Sequence, residues 1–139
     1  MMDLLEAIKT SLATIPGVTS CRIGLEDNIT PDDYPLIRIV PSNMQPGQAT
    51  VSGTMLTRRG EILIYFGMPV QPFDDTADGS GRVRLEKVYA ALFDLEADIL
   101  TKLMSTPAGI LAARYRETIT DEDRLDTYKL MAIRCEVEG

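Results

Sequence analysis

Along residues 2–15 the apolar side chains Leu4, Leu5, Ile8, Leu12 and Ile15 recur on one side of a helical projection, with Glu6, Lys9 and Thr10 turned mostly away. That spacing predicts an amphipathic helix, ended by Pro16-Gly17. The period then changes to two: over residues 18–25, Cys21, Ile23 and Leu25 alternate with Ser20, Arg22 and Gly24, the pattern of a strand with one wet face. A second strand is expected over residues 34–41, YPLIRIVP, where β-branched residues lie between prolines that cannot donate ladder hydrogen bonds. EILIYF at 61–66, which could extend back toward Thr54, is the most continuously apolar run and is expected at the centre of the sheet.

The longest periodic stretch is 83–104. Leu85, Val88, Tyr89, Leu92, Leu95, Ile99 and Leu103 recur at spacings of three and four, predicting a helix about 33 Å long that can cross a small sheet. Thr106-Pro107-Ala108-Gly109 stops it. ILAARYRETI and DTYKLMAIRCEV, separated by the acidic TDEDR, then read as a long hairpin. In its second arm Lys129, Met131, Ile133, Cys135 and Val137 share one mostly apolar face, while Tyr128, Leu130, Ala132, Arg134 and Glu136 run from apolar to charged on the other. The order α-β-β-β-α-β-β predicts an α+β fold: a largely antiparallel sheet with two helices packed on one face, in a single domain over residues 1–139.

Two connections stand out. Residues 42–53, SNMQPGQATVSG, hold little apolar material and are too long for a tight turn, so they are expected to be exposed, either as a tolerated insertion or as an arm that orders against a partner. Residues 67–81, GMPVQPFDDTADGSG, form the main break in the chain.

Composition narrows the function classes. The 139 residues carry 21 acids against 14 Lys and Arg, a net charge of -7, which argues against ordinary nucleic-acid binding through clustered bases. Arg58-Arg59 is the densest basic pair and is expected to be solvated or ion-paired at a strand start. No stretch is long and apolar enough to span a bilayer, and MMDLLEAIK lacks the basic and apolar segments of a signal peptide, so a cytoplasmic location and no membrane partner are expected.

Catalytic equipment is sparse. There is no histidine, and Cys21 and Cys135 sit at alternating strand positions outside any CxxC arrangement, which favours reduced, packed thiols over a disulfide or a nucleophile. Asp74, Thr76 and Asp78, followed by Gly79, are spaced like the early ligands of a calcium loop, but its twelfth position is Leu85 and Glu86 comes one place late. Carboxylates at Asp74, Asp75 or Asp78 could meet Asp121, Glu122 or Asp123 only through the fold, and Gly79-Ser80-Gly81 lacks the lysine of a phosphate loop. No catalytic, cofactor-binding or metal residues are assigned, and an enzyme is not expected.

The segments LLEAIKTSLATIPGV, DDYPLIRIVPS, RRGEILIYFG, LEKVYAALFDLEADILTKLM and TYKLMAIRCEV, taken in order, resemble the tail terminator (tail-completion, minor tail) proteins of long-tailed bacteriophages. The likeness covers nearly the whole chain and rests on segment order and length. It implies a non-enzymatic virion structural protein that forms a homo-oligomeric, usually hexameric ring at the end of the tail tube, stops tube polymerisation and joins the tail to head or neck. The implied partners are the tail tube protein and a head-tail connector or neck protein, with DNA passing through the lumen without specific binding. The implied location is the virion tail, after assembly in the host cytoplasm. Residues 42–53 and 69–78 would be contact regions, and the hairpin 111–137 would contribute to ring or lumen. The alternatives are a head-tail connector or other minor tail protein, or a small dimeric protein-binding domain.

Overall fold

A computed structural model of the chain describes residues 2–26, 29–49, 56–70, 82–105, 110, 112–120 and 128–139. Its elements are α1 (Met2–Leu12), β1 (Ser20–Ile23), β2 (Leu36–Ala49), β3 (Leu56–Pro69), α2 (Arg82–Met104), β4 (Ala112–Ile119) and β5 (Tyr128–Glu138), with a 3-10 turn at Pro31–Asp33. The strands form one five-stranded sheet in the order β1-β2-β3-β5-β4. β1 runs parallel to β2 and every other pair is antiparallel, so the sheet is mixed and the α+β order read from the sequence holds. The apolar third strand lies in the middle, with Ile62, Ile64 and Phe66 buried on one face and Leu63 and Tyr65 half-buried on the other.

One parity of strand residues carries the core. Ile37 and Ile39 of β2, Ile62, Ile64 and Phe66 of β3, and Met131, Ile133, Cys135 and Val137 of β5 merge with Leu4, Leu5, Ile8 and Leu12 of α1 and Val88, Leu92, Leu95, Ile99 and Leu103 of α2 in one buried cluster. Ile39, Ile64 and Ile133 stand side by side across three strands and none is exposed. Both helices therefore lie on the same side of the sheet. Lys129 shares that side and is fully buried, its Nζ 5.9 Å from the centre of the Tyr89 ring on α2.

α1 stops at Leu12, three residues before the predicted end. Thr14 N donates to Ser11 O and Ile15 N to Leu12 O, so the chain tightens into three-residue turns that still bury Ile15, and Gly17 takes φ +88°. The larger correction concerns residues 42–53, expected as an exposed connection: 42–49 continue β2, pairing Met44 with Gly60, Pro46 with Arg58 and Ala49 with Leu56, and the remainder lies outside the described residues. Breaks in register at Pro41/Asn43 and Pro46/Ala49 accommodate the proline-containing stretches, so weak strand propensity is overridden by the long partner strand β3. Because the last β3–β5 pair is Arg59 with Glu138, residues 46–49 and 56–58 form a two-stranded ribbon beyond the end of β5. The second connection is shortened as well. Residues 67–69 belong to β3, Val70 is buried, and 71–81 lie outside the described residues.

The opposite sheet face has no helix. Near β1 the return segment, described at residues 24–26 and 29–35, covers it and buries Arg38: Nε and Nη2 both lie 2.7 Å from Glu26 Oε1, and Nη1 donates to Ser20 Oγ at 3.0 Å and to the Ile37 carbonyl at 2.9 Å. The segment is stiffened at Thr30, whose N and Oγ1 donate to Asp33 Oδ2 at 2.9 and 3.2 Å and whose carbonyl accepts from Asp33 N at 3.0 Å. Tyr34 then lies over Gly67, where an added Cβ would stand 2.8 Å from Tyr34 Cε1 and 2.7 Å from Leu130 Cδ2. Only glycine lets the segment lie this close.

Candidate interaction face

The nucleophile candidates are placed against chemistry. Cys135 is buried in the core cluster and Cys21 half-buried beside it, both as free thiols. Burial pushes the Cys135 thiol up to about 12, and it pushes Cys21 up to about 11 despite the opposing charges of Arg38 and Lys9. Thiolate is the reactive form, so an aromatic disulfide reagent at pH 8 is expected to label both cysteines slowly in the folded protein, Cys135 more slowly than Cys21, and both at once in denaturant. Rapid labelling of either native thiol would contradict this packing.

Asp74, Asp75, Thr76, Asp78 and Gly79, and the second carboxylate group Asp121, Glu122 and Asp123, lie outside the described residues. Among the described residues no group of three or more Cys, Asp or Glu side chains is arranged to hold a metal ion. Among the described residues no helix is long and apolar enough to cross a membrane.

What the fold does assemble is a charged ladder on the open sheet face. Arg59 and Glu61 of β3, Arg134, Glu136 and Glu138 of β5, and Arg114, Arg116 and Glu117 of β4 give four arginines and four glutamates. Arg134 spans three strands, with Nε 2.8 Å from Glu61 Oε1 and Nη1 2.6 Å from Glu117 Oε1. Arg116 Nη2 lies 2.7 Å from Glu136 Oε2, and this hydrogen bond holds the Glu136 carboxyl below its ordinary value, helped by the charges of Arg114 and Arg59. Such exposed pairs contribute about 0–1 kcal/mol each, so their weight lies in recognition more than in stability. At the ribbon end they border an open concavity of about 300 Å³ lined by Asn43, Arg59, Glu61, Arg114, Glu136 and Glu138 among others. Arg114 makes no side-chain hydrogen bond and no ion pair among the described residues.

The net charge is distributed unevenly. Most of the excess falls on residues 71–81 and 121–127, which carry three net negative charges each. Those two segments join the sheet at one end: 71–81 follow shortly after Pro69, 121–127 lead into Tyr128, and Pro69 pairs with Tyr128.

No protein-family model matches the chain, and no curated protein is significantly similar to it. The alternation along β5 already carried the signal for the ladder, since Arg134 and Glu136 fall on the charged half of one face. Arg38 was hidden, because in sequence it is only the polar position of an alternating strand.

Proposed function

We propose that the protein is a non-enzymatic subunit of a ring that ends a phage tail tube and joins it to the head or neck. The reading rests on the likeness in segment order, and the observation that carries it furthest is the separation of charge. A neutral sheet face of paired arginines and glutamates suits contact with protein, whereas six negative charges on two segments leaving one end of the sheet suit a lumen through which DNA phosphates pass without being held. A closed ring of identical subunits needs two unlike contact surfaces on each copy; the helix layer and the open sheet face are such a pair.

Native mass measurement and negative-stain imaging, with and without assembled tail tubes, test the proposal. A six-fold ring that caps tubes and sets their length is the expected result. Failure to bind tubes together with unchanged tail length would refute it. Binding to a neck component with no effect on tube growth would favour a connector instead.

A further inference from the structure

We propose that a groove between the turn after α1 and helix α2 seats an arginine side chain of a partner protein, its stem along apolar walls and its guanidinium between Asp94 and Asp98. The groove is open and encloses about 300 Å³, at the small end for ligand sites and suited to one long side chain. Pro16, Gly17 and Val18 line it from the turn, Ala91 and Leu95 from α2, and Pro35 and Met68 complete the apolar lining. Leu95 is buried, whereas Val18, Met68 and Ala91 are half-buried, so the chain itself covers this apolar surface only in part. Gly17 keeps the lip open: a Cβ added there would meet nothing within 4 Å.

Charge chooses the occupant. Asp94 and Asp98 line the same groove one helical turn apart, a rise of about 6 Å, so both carboxylates stand on one side of α2. Both are exposed, and neither makes an ion pair or a side-chain hydrogen bond among the described residues. Lys102, one turn beyond Asp98, does not pair with it, and no lysine or arginine is among the lining residues. Two acids on a helix would by themselves be an ordinary solvated surface. Beside an apolar groove they favour a cation carried on an apolar stem, which satisfies both halves of the site, and they repel an anion. Arginine suits the spacing better than lysine. Its planar guanidinium presents five donors in a fixed fork, can bond two carboxylates at once and sheds water more readily than an ammonium.

The site lies on the helix side of the sheet, opposite the charged ladder, and does not rest on the ring. Proton–nitrogen NMR of the full chain tests it, with the peptide acetyl-Gly-Arg-Gly-amide as the probe. Saturable shifts are expected at Val18, Ala91, Leu95 and Asp98, with a dissociation constant in the millimolar range, as fits a single side chain. The same peptide with citrulline in place of arginine keeps the stem, loses the charge and should bind about tenfold more weakly. Asp94→Asn and Asp98→Asn should each weaken binding about threefold, and the double change about tenfold. Ala91→Phe fills the groove with every charge in place and should abolish binding. Resonances far from the groove report whether each variant keeps its fold, and the two exposed aspartates can be changed without touching the core. The proposal is overturned by the absence of saturable shifts, by shifts scattered over other acidic surfaces, by equal binding of the citrulline peptide, by indifference to both aspartates, or by full binding to a folded Ala91→Phe. None of these outcomes bears on tube capping.

Discussion

Arg38→Ala is expected to lower the unfolding free energy by about 3 kcal/mol, seen as a shift of the urea midpoint. The side chain is fully buried, and its guanidinium is the common partner of Glu26, Ser20 and the Ile37 carbonyl, with Asp33 Oδ1 a further 4.0 Å away. Truncation leaves a cavity under the return segment and releases the segment from β2. Glu26 is 31% exposed, so water recovers part of its lost ion pair, which holds the estimate at the lower end of the roughly 3–5 kcal/mol seen when one partner of a buried pair is removed. Arg38→Met keeps most of the volume and should cost less than alanine. A loss under about 1 kcal/mol for Arg38→Ala would show that the segment is held by Tyr34 and the backbone alone.

Phe66→Ala should be the most damaging single truncation, at about 4 kcal/mol. Phe66 is fully buried on the central strand, between Ile37 of β2 and Met131 of β5 and beneath the helix layer. It cannot be replaced by local collapse, since its neighbours are fixed by two ladders. The control is Phe93 on α2, 50% exposed and stacked on Tyr89, whose truncation should stay within about 1 kcal/mol. Equal losses for the two phenylalanines, in urea titrations, would mean that β3 is not the core strand described here.

The element order was readable because each segment carries its own period, three to four in the helices and two in β5. The centrality of β3 was readable too, since a strand that is apolar on both faces has few other places to go. The length of β2 was not, because Pro41, Pro46 and Gly47 speak locally for a loop, and only pairing with residues 56–62 makes a strand of them. In the interaction face, the charged half of β5 was visible in its alternation. Its partners were not, because Glu61 and Glu117 lie 73 and 17 residues from Arg134 and meet it only through the ladder.

The acidity belongs to both levels. By itself the sequence determined the α+β order, the core-facing stripe of each helix and a net charge of -7, because these depend on residue identity and near-neighbour spacing. The tertiary structure alone decided that Pro69 and Tyr128 bring two acidic segments to one end of the sheet, and that the bulge in β4 sets Arg114 and Glu117 on one face. The physical reason is that strand register is a long-range agreement: hydrogen bonds and the pleat determine which distant residues stand side by side, and no local pattern carries that information.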